Sequence, residues 1–140
     1  MDVSEQRLSV FPAFFKVANA VAVVFGNGPE AFAKTRLLRN TQALVVAYAE
    51  APDADYAAYL TEHGIDTVAR SFAPSQVEGA VLVFAATGDL ELDRNIVRAA
   101  RARHIPANAV DQPDFCDFYT PALVNRAPIA VAIGTEGAGP

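Results

Sequence analysis

The apolar residues of this chain fall into two kinds of pattern, and their alternation predicts the fold. Continuous, β-branched runs at Ala20 to Phe25 (AVAVVF), Ala43 to Tyr48 (ALVVAY) and Val81 to Ala86 (VLVFAA) read as strands buried on both faces. Between them, apolar positions recur at helical spacing. Pro29 suits a first helical position, and Ala31, Phe32, Thr35 and Leu38 share one face until Asn40, which stands where a glycine cap would. Asp53 is expected to cap a helix from Ala54 to His63, with Tyr56, Tyr59 and Leu60 turned inward and Gly64 closing it. Asp89 is expected to cap another from Leu90 to Arg103. Weaker strands are read at Thr67 to Arg70 and at Ala107 to Val110, the second delivering Asp111 at its C-terminal end.

Strands that alternate with helices, and are themselves apolar throughout, predict a parallel sheet covered on both faces, a doubly wound α/β fold. After Pro113 the pattern changes. Phe118 to Val124 and Ile129 to Ile133 are joined by Asn125-Arg126-Ala127-Pro128, with no room for a helix, so an antiparallel hairpin and an oligomer contact are expected there. The expected organisation is one α/β unit over residues 1–113 and a hairpin unit over 114–140. The tail Gly137-Ala138-Gly139-Pro140 reads as a turn ahead of a further element. Phe11, Phe14 and Phe15 are expected to pack over the sheet or across a subunit interface.

Composition narrows the function classes. With 52% apolar and 19% charged residues the chain is an ordinary globular one, and 11 basic against 16 acidic residues give a net charge of −5. That balance offers no footprint for a nucleic acid. No apolar run approaches the roughly 20 residues that span a bilayer, and Met1 to Glu5 lack the basic start of a leader, so neither a membrane nor export is expected and the setting reads as cytoplasmic. A single cysteine, Cys116, and two histidines, His63 and His104, exclude an internal disulfide and provide no zinc cluster. Cys116, among Phe115 and Phe118 with no neighbouring base, reads as a small buried residue rather than a nucleophile.

One motif sits in the context it needs. Gly26-Asn27-Gly28-Pro29-Glu30-Ala31 fits G-x-G-x-x-A between a strand and a helix. The first glycine permits the turn, the second lets a pyrophosphate approach the backbone, and Ala31 lets helix and strand pack closely, while the helix N-terminus offers free N–H groups. A tight turn without a ligand is the other reading. Glu50, just beyond the second strand, lies near where a carboxylate holds a ribose 2′-hydroxyl, which favours NAD over its 2′-phosphorylated form, or it is a solvated loop residue. Thr87 and Gly88 end the next strong strand on the same sheet edge. Asp111 has two open readings: a base whose pKa partial burial would raise, or a turn-former before Gln112-Pro113.

These residues in this order resemble the N-terminal region of siroheme synthases, the precorrin-2 dehydrogenase/sirohydrochlorin ferrochelatase family. The resemblance runs through FPAFF, VVFGNGPEAFAKTRLL at 23–38, LVFAATGDLELDRNI at 82–96 and NAVDQPDFCDF with the hairpin that follows. Its specificity lies in combining Lys34-Thr35-Arg36-Leu37-Leu38, Ala85-Ala86-Thr87, Asn108-Ala109-Val110-Asp111 and Cys116-Asp117-Phe118 with Pro121. It implies NAD-dependent oxidation of precorrin-2 to sirohydrochlorin, then insertion of Fe2+ to give sirohaem, with Asp111 at the catalytic position in both steps. It also implies cofactor contacts at Gly26, Asn27, Gly28, Pro29, Glu30, Glu50, Ala51, Thr87 and Gly88, substrate contacts at Asn108 and Thr135, and a homodimer.

The chain departs from the family in three places. Asn27 stands between the two glycines, Asn40-Thr41-Gln42-Ala43 ends the first helix, and Gly134-Thr135-Glu136 brings a carboxylate toward an anionic substrate. A polycarboxylate needs local cations on a chain of this charge, and Arg126 in the hairpin turn is the expected one. Arg94, Arg98 and Arg101, at i, i+4 and i+7 with Arg103 and His104 beyond, read as a solvated helix face, and Lys34 and Arg36 as surface residues. Two rivals remain: a module that keeps the fold to bind a dinucleotide for sensing or assembly, and an unrelated small NAD-dependent reductase.

Overall fold

The computed structural model describes residues 6–136; the tail from Gly137 and the first five residues lie outside it. Five parallel strands form one sheet in the order β3-β2-β1-β4-β5: β1 Val21–Phe25, β2 Leu44–Tyr48, β3 Asp66–Val68, β4 Ala80–Ala85 and β5 Ala107–Ala109. Helices α1 Pro29–Leu38, α2 Ala54–Glu62 and α3 Leu90–Ala102 make the connections. A separate two-stranded antiparallel hairpin, β6 Ala122–Arg126 and β7 Ile129–Ile133, follows. The doubly wound fold and the hairpin read from the pattern are both present.

Alternation along β1 explains the layering. Ala22 and Val24 face a core with Ala31 and Leu38 of α1 and Tyr56 and Leu60 of α2, whereas Val23 and Phe25 face Ile96, Val97 and Ala100 of α3. The chain therefore winds from β1 outward to β3 on one face, then returns to β4 on the other. The reversal falls between β1 and β4, the place where ligands enter open α/β sheets at the strands' C-terminal ends.

Several expectations are corrected in detail. Asp53 occupies the cap position of α2, but its side chain makes no capping bond; its N–H instead donates to the Asn27 carbonyl at 2.9 Å. Asp89 does cap α3, accepting from the N–H groups of Glu91 and Leu92. Asn40 caps α1 without entering the left-handed region, its amide reaching the Arg36 and Leu37 carbonyls at 3.4 Å. The segment 118–121 is not strand: the Phe118 carbonyl is taken by the Asn108 side chain at 2.9 Å, its ring packs edge-on to Phe84 at 5.4 Å, and Pro121 has no N–H to pair. β3 comes earlier and shorter, ending at Val68. Phe11, Phe14 and Phe15 do not cover the sheet; they are 89%, 74% and 53% exposed.

Candidate functional site

Three strand ends lie side by side and build the site. The Gly26 N–H bonds the Tyr48 carbonyl at 3.1 Å, Ala86 N–H the Phe25 carbonyl at 2.8 Å, and Val110 N–H the Ala85 carbonyl at 3.0 Å. The ladder thus extends past β1, β4 and β5 and sets Gly26, then Ala86 with Thr87, then Val110 with Asp111 along one edge. Each end turns by a positive φ: +144° at Gly26, +82° at Gly88 and +61° at Asp111.

At the β1/β4 reversal a cleft of 180 Å³ is lined by Gly26, Asn27, Glu50 and Thr87, with Arg70 and Phe72 closing the side toward β3. Phe25, Tyr48 and Phe72 make an aromatic floor, with ring centroids 4.9 and 5.4 Å from Phe25. The two glycines of the turn are required for different reasons. A Cβ on Gly26 would lie 2.0 Å from the Ala86 carbonyl oxygen, so packing alone demands glycine there. A Cβ on Gly28 would meet nothing nearer than the Asp53 and Glu30 carboxylates at 3.8 and 3.9 Å, so the protein itself does not need that glycine. The space it leaves lies at the N-terminus of α1, where Pro29 is N1 and Glu30 follows. A dinucleotide phosphate fits that space and its free N–H groups. The two carboxylates, both exposed and hydrated, oppose it only weakly.

Asn27 and Thr87 are fixed by side-chain hydrogen bonds that the sequence did not reveal. Asn27 Oδ1 accepts from the Ala51 N–H at 3.1 Å, tying together the turn and the loop after β2, two segments expected to contact the cofactor. Thr87 donates its N–H and its hydroxyl to Asp93 Oδ1 at 3.0 and 2.7 Å. Asp93 is 2% exposed; burial pushes its carboxyl pKa up and the bonds from Thr87 oppose that rise. Its place in the first turn of α3 was the available signal.

Beside β5 a second cavity, of 310 Å³, brings Asn108, Asp111 and Thr135 together with Lys34, Gln112 and Thr120. Asp111 is exposed, so the partial burial expected of it is absent; the turn reading and the site reading describe the same residue. Asn108 is buried and holds Phe118 in place. Cys116 lines the cavity half-buried, its Sγ donating to the Ala109 carbonyl at 3.2 Å, and burial pushes its thiol pKa up. Glu136 turns away from the cavity to accept the Ser9 N–H, which holds its carboxyl pKa low.

The expected cations are redistributed. Arg126 lies at the far end of β6 from the cavity-lining Ala122, exposed and bonded to the Asn125 carbonyl, and so stands apart from the site. Arg98 and Arg101 keep the exposed helix face expected of them, pairing at the surface with Glu91 at 3.5 Å and Asp117 at 2.9 Å, whereas Arg94 is half-buried, donating to Gln112 at 3.0 Å and lying over Phe115, and Arg103, past the end of α3, pairs with Glu78. Arg36 is exposed, with its guanidinium over Phe32. Lys34, read as a surface residue, is in the cavity wall. Among the described residues, no group of three or more His, Cys, Asp or Glu is placed to hold a metal, and no helix is long and apolar enough to cross a membrane.

With the strand ends and both clefts placed, comparison with known proteins identifies the framework: residues 13–122 match the family described as "Putative NAD(P)-binding". The chain belongs to this family. It is 38% identical over 133 residues to the siroheme synthase of Thioalkalivibrio sulfidiphilus, covering 95% of this chain and 27% of that protein. The siroheme synthases of Methylobacillus flagellatus and Pseudomonas entomophila match at 38% and 35% identity, again over 95% of this chain. The chain thus spans 27–29% of the length of these curated relatives. Among solved structures, "SirC, precorrin-2 dehydrogenase" superposes with a TM-score of 0.75 at 16% identity over 94% of this chain and 64% of that one, a likeness of fold.

Proposed function

We propose that this chain is the dinucleotide-binding portion of a siroheme-synthase-type enzyme, oxidising precorrin-2 to sirohydrochlorin with NAD and using Asp111 as general acid/base. The observation that carries this reading is the lateral order of strand ends: a dinucleotide laid along the edge from Gly28 past Thr87 ends beside the Asp111 carboxylate and its cavity. The likeness to siroheme synthases over 95% of the chain supports the same reaction. Glu50, facing the cleft, favours NAD, because a carboxylate accepts from a ribose 2′-hydroxyl and repels a 2′-phosphate.

Bound NAD supplies the hydride acceptor. The chain's own residues hold and deprotonate. The glycine turn, the first turn of α1 through its free N–H groups at Glu30, and Thr87 with Gly88 hold the dinucleotide; Asn108 and Thr135, which line the cavity, take the macrocycle; an Asp111 carboxylate oxygen receives the proton that leaves as the macrocycle is oxidised. Ferrous iron is a substrate of the second reaction, in which the same carboxylate takes the pyrrole protons that the metal displaces. Cys116 as a free thiol suits a cytoplasmic setting. We place the division between the α/β unit and the hairpin unit at Pro113.

The decisive experiment is anaerobic turnover of freshly made precorrin-2 with NAD, followed by absorbance, in wild type and Asp111→Asn. Asparagine tolerates the positive φ at this position, so the turn survives the exchange. The expected result is turnover in wild type and a loss of about 100-fold or more in the variant, with NAD affinity unchanged. Dinucleotide binding without turnover in either protein would instead favour a module that only binds. We also assign an interface between two copies to the exposed apolar residues of the N-terminal segment and the hairpin, including Phe11, Phe14, Ile129 and Val131. Sedimentation velocity should show a wild-type dimer that Ile129→Lys with Val131→Lys weakens at least about tenfold; a monomeric wild type would sink the assignment.

A further inference from the structure

The cavity beside Asp111 is lined by two donor side chains, Lys34 and Gln112, whose hydrogen-bonding capacity is only partly met among the described residues. Lys34 is half-buried on α1, next to the face that sends Ala31, Thr35 and Leu38 into the core. Its Nζ donates to Thr120 Oγ1 at 2.8 Å, one bond for a group with three N–H donors. It has no ion-pair partner within 4.0 Å among the described residues. Burial pushes its ammonium pKa down, and the neighbouring Cys116 and Asp111 only partly oppose this. Gln112, in the same wall, is 8% exposed; its Oε1 accepts from Arg94, while its Nε2 is buried with no hydrogen-bond partner among the described residues.

A half-buried ammonium and an orphaned amide N–H each cost free energy until an acceptor arrives, and both residues lie in the wall of one cavity that could admit an anion. Among the described residues no other lysine or arginine lines the cavity. The α3 arginines are committed to Gln112, Asp117, Glu91 and Glu78, and Arg126 lies at the opposite end of the hairpin. On a chain of charge −5, a polycarboxylate must be drawn in by a local cation rather than by the overall field.

We propose that Lys34 and Gln112 form an anion subsite that holds one carboxylate of the tetrapyrrole, fixing the macrocycle against Asp111 on the neighbouring wall. The inference rests on the reaction proposed above for its ligand, but it is read out by binding. Lys34 is thereby a specificity-determining residue, and its role is separate from proton transfer.

The test is equilibrium binding of sirohydrochlorin by absorbance to wild type, Lys34→Met, Lys34→Arg and Gln112→Leu, with methyl-esterified sirohydrochlorin as control. Lys34→Met should weaken sirohydrochlorin about 10- to 100-fold, with NAD affinity unchanged and the thermal midpoint of the ligand-free protein no lower than that of wild type. Lys34→Arg should recover most of the loss, Gln112→Leu should weaken binding about threefold to tenfold, and with the ester wild type and Lys34→Met should bind alike. Equal affinity of wild type and Lys34→Met for the free acid, with kcat reduced and its pH profile displaced, would overturn the subsite and make Lys34 a support for Asp111. Sirohydrochlorin binding without precorrin-2 turnover would refute the reaction but leave the subsite measurable. No sirohydrochlorin binding by wild type would overturn both.

Discussion

The two clefts on this sheet edge are built by opposite means. The one at the β1/β4 reversal is framed by main chain, a glycine turn and the strand-end hydrogen bonds beside it, set over an aromatic floor of Phe25, Tyr48 and Phe72. The one beside β5 is made of side chains drawn from α1, β5, the Gln112-Pro113 turn and both ends of the hairpin. Backbone cleft and side-chain cavity therefore differ in what a mutation removes. In the first, a substitution at Gly26 alters the fold itself, whereas one at Gly28 alters only the space left for a ligand. In the second, a substitution alters charge or hydrogen bonding and leaves the fold standing.

The largest expected effect tests that contrast within a single turn. Gly26→Ala should destabilise the protein by about 3 kcal/mol or more, because its Cβ would meet the Ala86 carbonyl oxygen at 2.0 Å at a φ of +144°. Gly28→Ala, two residues on, should stay within about 0.5 kcal/mol of wild type and yet lose NAD affinity at least about tenfold. Urea denaturation and fluorescence titration of both variants would decide it; two equally unstable variants would break the distinction between a glycine the fold needs and one a ligand needs.

A smaller effect sharpens it through pH. The folded state raises the pKa of Asp93 above 3.8, so it holds that proton more tightly than the unfolded chain. The associated stability is full below the ordinary carboxylate range and is lost as pH rises through the raised folded value. Asp93→Asn keeps an acceptor for Thr87 and has no proton to lose. Its advantage over wild type should therefore be absent at low pH and grow toward neutrality in urea denaturation series. An unchanging gap would mean that Asp93 does not titrate differently on folding.

The same contrast explains what could be read from the sequence. The parallel sheet, the glycine turn and the Asp89 cap were legible because each is written in a contiguous stretch: an apolar run, a fingerprint, a residue before a helix. Lys34 was misread because a lysine between exposed Ala33 and Arg36, off the face of Ala31, Thr35 and Leu38, looks like a surface residue, and its partner Thr120 arrives from 86 positions away. Gln112 gave no signal, since an orphaned amide exists only once the chain has closed around it. Asp53 shows the converse: the residue type and position of a cap were right, but a carbonyl from Asn27 had already anchored that backbone. Arg126 was chosen for its charge alone, and the hairpin register then carried it to the far end.

The left-handed backbone at Asp111, φ +61°, has a consequence for how related chains can diverge. Glycine, asparagine and aspartate enter that region readily; most other side chains do so at a cost of about 1 kcal/mol or more. The turn thus favours a three-letter alphabet, and only one of those letters is an acid. A descendant that exchanges Asp111 for Asn or Gly keeps its turn, its sheet edge and its dinucleotide cleft, and loses the carboxylate proposed above as proton acceptor at little cost in stability. The proton transfer proposed for Asp111 would then be shed in one silent step, and a sequence that still folds and still binds a dinucleotide is no witness that such chemistry survives.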